Sequence, residues 1–284
     1  MSSDHWRLLD TGLADGATNM AMDEAILHAC AQGEVPPTLR LYGWSPHCLS
    51  IGYFQNASKE VKLEECRRLG IDVVRRLTGG RAVLHSSELT YSVAIPARHS
   101  LAAGRIVESY RRISLGLVAG LAMLGLEVET APGGASRRNH VHSDLPNLIG
   151  TARTSSCFDL PSDYEITVHG RKLVGSAQTR KRGALLQHGS VLLEFDPAET
   201  AAVLYTPFTT EDQFATILSS RVISLREALN RTVSYGELAN AVKTGFERAL
   251  GITLERGRLT EAETALANEL RLAKYARDEW NLRR

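Results

Sequence analysis

The sequence has few cysteines, almost no net charge and no long apolar stretch, and each shortage excludes a class of protein. Four cysteines in 284 residues lie far apart without a CxxC pair, which argues against a disulfide framework or a zinc site and favours a reducing compartment. The net charge of +1 gives no basic field for nucleic acid. No run is long enough to span a bilayer, and MSSDHWRLLDTG is not a secretory signal. We expect a cytoplasmic protein that binds neither nucleic acid nor membrane.

The order of predicted elements indicates an α+β fold. A helix over 18–32, capped by Thr18 or Asn19, is followed by short strands that continue to about residue 96, with one helix near 59–70. A buried helix over 107–124 and further strands over 164–195 lead to a helical last third, where capping-box patterns open two helices at Ser234 and Thr260. We therefore predict mainly antiparallel sheets flanked by helices, with a catalytic domain at 1–200 and a mostly helical C-terminal extension at 201–284.

One cysteine, Cys157, ends an unusually long polar segment. Residues 132–156 are rich in Gly, Arg, His, Asn and Pro, and a stretch of this length without periodicity is typical of a functional or mobile loop. A lone cysteine is more often an inert apolar residue than a nucleophile. His140 and His142 in this loop are too weak a pattern to predict a metal site. The local sequence leaves both interpretations of Cys157 open.

Lys172 follows Cys157 by fifteen residues on a predicted β-hairpin. His169-Gly170 supplies the positive φ angles of a two-residue turn, and strand alternation then places Lys172 and Glu165 on one face. The first interpretation is an exposed ion pair worth well under ~1 kcal/mol. The second is an ammonium that lowers the pKa of the cysteine thiol from its usual ~8.5 and so raises its nucleophilicity.

The segment RRLTGGRAVLH combines three arginines with a glycine turn. Gly79 and Gly80 let the backbone approach a ligand because no Cβ intervenes, although the segment matches neither the P-loop nor the dinucleotide fingerprint. The alternative is an ordinary hairpin turn with solvated arginines. Two histidines, at the end of this segment and in QHGS, are either structural or ligand-binding: His85 and His188.

Taken together, RRLTGGRAVLH, SSCFD and GRKLVGSAQTRKRGALLQHGS resemble the lipoate–protein ligase and octanoyltransferase superfamily, in particular its cysteine-containing octanoyltransferase branch. WRLLDTG, YGWSPHCLSIGYFQN and KYARDEWN extend the resemblance over most of the chain. Little aligns between Gly133 and Thr154. Each fragment alone is weak, but the combination in this order is specific. The resemblance implies a biotin/lipoyl-ligase-like catalytic fold.

The resemblance also assigns roles to residues. Cys157, in an SxCF context, falls on the family's nucleophile, and Lys172, in GRKxxGSAQ, falls on the lysine that lowers the pKa of that thiol. The glycine turn and its companion strands supply the substrate-binding residues: Arg76, Thr78, Gly79, Gly80, His85, Gly175, Ser176, Ala177, His188, Gly189 and Ser190. We expect the acyl chain to enter an apolar slot lined from three residues: Leu77, Val83 and Val174.

The implied reaction moves an octanoyl group from the phosphopantetheine arm of octanoyl-acyl carrier protein to a lysine of a lipoyl domain, through an acyl-cysteine. The glycine-cleavage H protein is the expected acceptor, and the enzyme is expected to be a monomer. Exchange between thioesters is nearly isoenergetic, so we expect no ATP and no metal. Carrier proteins are usually acidic, which indicates electrostatic steering by two basic clusters: Arg75, Arg76, Arg81, and Arg180, Lys181, Arg182.

Three other functions are compatible with parts of the pattern. An ATP-dependent lipoate ligase shares the glycine turn and the lysine, but it needs no nucleophilic cysteine. An amidotransferase would move the acyl group between lipoyl domains and differs only in its donor. A non-catalytic acyl-binding module would predict that Cys157→Ser keeps full biological activity.

Overall fold

The computed structural model of the chain describes residues 4–130, 165–206 and 209–283. An eight-stranded mixed sheet forms the centre of the fold. The strand β1 (Asp4–Ala14) is parallel to both of its neighbours, β11 (Ile252–Arg256) and β2 (Thr38–Trp44), whereas the other five neighbouring pairs are antiparallel. In order across the sheet the strands are β11 (Ile252–Arg256), β1 (Asp4–Ala14), β2 (Thr38–Trp44), β6 (Glu88–Pro96), β10 (Ala184–Leu192), β9 (Arg171–Lys181), β8 (Ile166–Val168) and β7 (Glu129–Thr130).

A second, three-stranded sheet stands beside the first. Its central strand β3 (Cys48–Ile51) is parallel to β4 (Asp72–Arg75) and antiparallel to β5 (Val83–His85). The turn between β4 and β5 contains the two glycines of RRLTGGRAVLH. The predicted α+β class with mainly antiparallel pairing is confirmed.

Helices cover both faces of the main sheet, and its strands alternate accordingly. On β6, Tyr91 and Val93 pack in the core beneath α4 (Ile106–Met123) and α8 (Tyr235–Leu250), whereas Ala94 packs against α1 (Gly16–Gln32). No described helix is long and apolar enough to cross a membrane. The helices are α1 (Gly16–Gln32), α2 (Ala57–Glu60), α3 (Leu63–Leu69), α4 (Ile106–Met123), α5 (Pro197–Val203), α6 (Glu211–Arg221), α7 (Leu225–Leu229), α8 (Tyr235–Leu250), α9 (Glu261–Leu270) and α10 (Asp278–Asn281), with a 3₁₀ turn at Ser100–Ala102 and a π turn at Arg271–Tyr275.

The helix termini follow from their capping residues, with one correction. The hydroxyls of Ser234 and Thr260 accept the predicted bonds from the N–H groups three residues later, at the starts of α8 and α9. The predicted cap of α1 by Thr18 or Asn19 is wrong. Asp15 caps that helix because its carboxylate accepts from the Thr18 N–H at 2.6 Å.

The C-terminal third is less purely helical than the sequence indicated. Gly251, at φ +65°, ends α8, and the five residues of β11 then pair with β1 at the edge of the main sheet. The short ITLER run between two strongly helical segments was not predicted as a strand. The division of the chain at residue 200 stays a prediction.

Candidate functional site

A cavity of about 410 Å³ is lined by residues from both sheets and from α1 and α4. It brings together most of the residues that the sequence assigned to substrate binding. Thr78 lies just behind the wall, bonded to the ring of His188. The predicted residues that line the cavity are Arg76, Gly79, Gly80, His85, Gly175, Ser176, Ala177, His188, Gly189 and Ser190.

Strand register explains why two separate segments meet in this wall. In the β9–β10 pair, Gly175 lies opposite Ser190 and Ala177 lies opposite His188. A Cβ on Gly189 would lie 2.4 Å from the Gly175 carbonyl oxygen, so only a glycine fits the strand at this point. GRKLVGSAQ and QHGS therefore lie side by side on paired strands and form one continuous part of the cavity wall.

The glycine turn is held from beneath by Arg76, which is 5% exposed. Its Nη2 donates to the carbonyl oxygens of Gly79 at 2.9 Å and Arg81 at 2.7 Å. Gly80 adopts φ +90°, a left-handed conformation that glycine takes without strain. The interpretation of this turn as a hairpin with solvated arginines is wrong for Arg76.

Arg75 is also a structural residue. It is fully buried, and its guanidinium donates to the carbonyl oxygens of Gly52, Gln55 and Arg283 at 2.7–2.9 Å. A buried guanidinium is stabilised here by these acceptors. Arg75 and Arg76 are consequently not available at the surface to steer a carrier protein, which corrects the predicted basic cluster.

Of the three residues predicted to line an acyl slot, one lines the cavity. Val83 lines the cavity. Leu77 instead packs with Leu27 and Leu186, and Val174 belongs to the main core beneath α4 and α8. All three are apolar residues of strand-like segments, and apolar character alone does not distinguish a cavity wall from the core.

Lys172 lies on the predicted hairpin, but it is not at the surface. The His169-Gly170 turn has the expected positive φ angles, and the register shifts by one residue on the β9 side, between Lys172 and Val174. The Lys172 Nζ lies 2.5 Å from Glu165 Oε1, and the two residues are only 4% and 5% exposed. The predicted ion pair is therefore present, and its predicted exposure is wrong.

The Lys172 ammonium lies next to the wall of the cavity. A Cβ on Gly175 would lie 3.0 Å from Lys172 Cε and 3.4 Å from Nζ, and Gly175 lines the cavity. The charge therefore lies immediately behind a wall residue that has no side chain. Inside a protein the effective dielectric constant is below that of water, so a charge at this position acts strongly on groups nearby.

The three cysteines in the described residues are poor nucleophiles. Burial raises the pKa of Cys30 and of Cys66 to about 11, and that of Cys48 well above its usual value. Thiolate is then scarce at neutral pH. Cys157, like His140 and His142, lies outside the described residues. Within the described ranges, no group of three or more His, Cys, Asp or Glu side chains is placed to hold a metal ion.

Sequence reasoning assigned no role to several residues at or behind the wall. Trp44 stacks on the His85 ring with centroids 4.1 Å apart, and Ser50 bonds to the same ring. Asp23 and Glu88 lie behind the two histidines. The available signal was a carboxylate, Asp23, within the predicted core helix and another, Glu88, at the start of the predicted strand ELTYSVAIP, because buried charges are rarely placed without a partner.

The chain matches the model of the lipoyl protein ligase A/B catalytic domain over residues 15–247. It belongs to this family. Its relatives include the octanoyltransferase LipM of Kyrpidia tusciae, which is 48% identical over 98% of this chain and 99% of its own length. The octanoyltransferase LipM of Bacillus subtilis is 40% identical over the full length of both chains.

Solved structures of the family share the fold. A bipartite lipoate protein ligase from Thermoplasma acidophilum superimposes with a TM-score of 0.79 at 28% identity, covering 98% of this chain and 96% of that one. A lipoate-protein ligase A bound with ATP has a TM-score of 0.77 at 29% identity, covering 99% of each chain. The biotin/lipoyl-ligase-like fold expected from the resemblance is confirmed for its lipoyl-ligase branch.

Proposed function

We propose that this chain is an octanoyltransferase of lipoate assembly, which acts as a monomer and takes its acyl group from octanoyl-acyl carrier protein. The acceptor is a lysine of a lipoyl domain, with the glycine-cleavage H protein as the first candidate. The observation that carries the proposal is full-length identity of 40–48% to octanoyltransferases. The buried ammonium beside a cavity supplies a physical basis for the chemistry.

The reaction has two steps: transfer of the octanoyl group to Cys157, and its transfer from Cys157 to the acceptor lysine. The Cys157 thiolate attacks the carbonyl carbon of the octanoyl thioester, and the pantetheine sulfur leaves as a thiolate that takes up the proton released from Cys157. The neutral amine of the acceptor lysine then attacks the octanoyl-Cys157 thioester. An amide forms, and the amine proton returns to the Cys157 sulfur. Two accessible steps replace one difficult step.

Lys172 and the cavity have separate roles in this scheme. The ammonium stabilises the thiolate before attack, and it favours the negative charge that develops on the carbonyl oxygen. The cavity receives the hydrocarbon tail. Burial of its six methylene groups contributes up to roughly 5 kcal/mol of binding free energy. Val83 and Ile106 are apolar contributions to the lining.

The acyl donor distinguishes this function from its principal alternative. A ligase activates a free acid with ATP, and a related ligase structure contains ATP. We expect purified protein to octanoylate an apo lipoyl domain from octanoyl-acyl carrier protein without ATP, as seen by the mass increase of the acceptor. Free octanoate with ATP should give no product. Product only in the second mixture would overturn the proposal, and transfer from an octanoylated lipoyl domain alone would identify an amidotransferase.

Removing the ammonium should move the ionisation of Cys157 to higher pH. In Lys172→Met, the ammonium that stabilises the thiolate is gone while the Glu165 carboxylate remains and opposes a second negative charge, so the thiol pKa rises by more than about one unit. The double variant Lys172→Met/Glu165→Gln removes both charges and should give a smaller rise. The measurement is the rate of iodoacetamide alkylation of Cys157 against pH, followed by intact mass. An unchanged profile in both variants would remove Lys172 from this role.

A further inference from the structure

The guanidinium of Arg76 links the glycine turn to two buried hydroxyl groups. Its Nη2 binds the turn carbonyls of Gly79 and Arg81. On its other side, Nε donates to Thr78 Oγ1 at 3.1 Å and Nη1 donates to Ser50 Oγ at 3.1 Å. Arg76 is thus fixed between the turn and two hydroxyl acceptors. The position of the turn therefore depends on both hydroxyl groups, because they orient the guanidinium that binds it.

Each hydroxyl also contacts the ring of a histidine. Ser50 Oγ lies 2.7 Å from His85 Nε2, and Thr78 Oγ1 lies 2.8 Å from His188 Nε2. Each hydroxyl has one proton and two lone pairs, so it can accept from Arg76 and donate to the imidazole at the same time. That donation requires Nε2 to accept, which places the ring proton on Nδ1.

A carboxylate lies at the Nδ1 side of each ring. His85 Nδ1 lies 2.8 Å from Glu88 Oε1, and His188 Nδ1 lies 3.3 Å from Asp23 Oδ2. A carboxylate accepts and does not donate, so it selects the tautomer that the hydroxyl needs. Burial lowers the pKa of His188 below its usual value, which agrees with a neutral ring.

The two carboxylates are themselves fixed and lie outside the cavity wall. Glu88 Oε1 accepts from Ser190 Oγ at 2.6 Å and from Thr90 Oγ1. Burial alone would raise the pKa of Asp23, but the charge of Arg40 and the hydrogen bonds from His188 and Arg40 outweigh burial and lower it. Three side chains besides His188 hold Asp23 at 2.8–3.0 Å: Arg40, Tyr42 and Ser92.

We propose that Asp23 and Glu88 are positioning residues, which hold the glycine turn in its acyl-binding shape through two hydroxyl–imidazole–carboxylate chains that meet at Arg76. The inference rests on the proposed function for the identity of the ligand. Within the described chain, the N–H groups of Gly79 and Gly80 donate to no protein acceptor, and both residues line the cavity. The chains therefore set the direction of two donors that an acyl carbonyl can use.

Isosteric replacements test this directly. Asp23→Asn and Glu88→Gln keep the shape but offer an N–H₂ group to Nδ1, which favours the other tautomer. Nε2–H then donates to the hydroxyl, and the hydroxyl proton loses its acceptor on the ring. The probe is S-(2-oxononyl)-pantetheine, in which a methylene group separates the sulfur from the carbonyl, so the carbonyl is kept and the chain cannot transfer. The measurement is its Kd by calorimetry. We expect the Kd to rise about tenfold or more in each variant, as a misplaced contact would produce.

A matched control comes from the next residue of α1. Glu24 is also a buried carboxylate, at 5% exposed against 2% for Asp23, but it bonds to Tyr275 and Lys274 in the C-terminal region. Glu24→Gln should leave the Kd of the probe within about twofold of the parent. A general disturbance of buried carboxylates would weaken binding in the control as well and would overturn the proposal.

The kinetic signature separates positioning from loss of folded protein. With octanoyl-acyl carrier protein as donor, the positioning variants should raise KM with a smaller change in kcat. A reduced fraction of folded enzyme would lower kcat alone, and that result would contradict the proposal. If the parent protein transfers nothing, the proposed function fails, and the Kd comparison still decides this inference.

Breaking the chains at their hydroxyls gives a second, independent pair of variants. Ser50→Ala and Thr78→Val remove the links to Arg76 and leave both carboxylates in place. Like the carboxylate variants, they should raise the Kd of the probe. If Asp23→Asn or Glu88→Gln does not fold, the Kd values of these two variants decide whether the chains position the turn. Parent-like Kd values in folded link variants would show that the chains do not position the turn.

Discussion

Replacement of Cys157 by serine is expected to abolish the covalent octanoyl adduct and to lower transfer to a lipoyl domain by at least about 10³-fold. A serine hydroxyl is not appreciably ionised near neutral pH, and an ammonium such as Lys172 cannot bring its pKa into that range. Loss of a nucleophile usually removes most of an enzyme's rate enhancement. Intact mass spectrometry after mixing with octanoyl-acyl carrier protein is the direct measurement, and the parent adduct should be labile to hydroxylamine.

The other cysteines provide the control for this experiment. Cys66 lies on α3 in the core that surrounds the three-stranded sheet, and burial raises the pKa of its thiol to about 11. Cys66→Ala should therefore keep one octanoyl adduct and most of the transfer activity. An adduct that persists in Cys157→Ser, or one that disappears in Cys66→Ala, would assign the acyl-enzyme to a different sulfur.

Local pattern was sufficient for features that depend on nearby residues. The His169-Gly170 turn and the caps at Ser234 and Thr260 follow from backbone preferences within a few positions. The resemblance added what pattern could not supply, because it assigned residues from three distant segments to one site. The cavity lining brings ten of those residues together.

Burial was the property that the sequence did not reveal. Lys172 and Arg76 are charged residues in segments that read equally well as exposed hairpins, and both are interior. The free-energy cost of removing these charges from water is offset by polar partners such as Glu165. Local periodicity does not show whether such a partner is present, so it cannot distinguish a buried charge from an exposed one. The strand β11 was missed for a related reason, since its pairing with β1 joins residues about 250 positions apart.

Gly245→Ala is expected to destabilise the fold by about 3 kcal/mol or more. Helices α4 and α8 cross closely because glycines on both leave no side chain between them. A Cβ on Gly245 would lie 2.3 Å from the Gly120 backbone nitrogen and 2.4 Å from the Gly116 carbonyl oxygen. Alanine favours a helix over glycine by up to about 1 kcal/mol. Overpacking against backbone atoms, which cannot rotate away as a side chain can, costs more than this gain. The net change in the free energy of unfolding is therefore destabilising.

A glycine-to-alanine substitution at another position of α8 should not destabilise the fold. Gly236 lies in the first turn of α8 and is exposed, and apart from its chain neighbours and the backbone of its own helix no described heavy atom lies within 4 Å of a Cβ built on it. Gly236→Ala should therefore be neutral or stabilise by a few tenths of a kcal/mol, because only helix propensity changes. Urea unfolding with equal m values measures both variants. A midpoint for Gly245→Ala at or above that of Gly236→Ala would mean that the two helices separate at little cost, and the close crossing would then not be what holds α8 against the sheet.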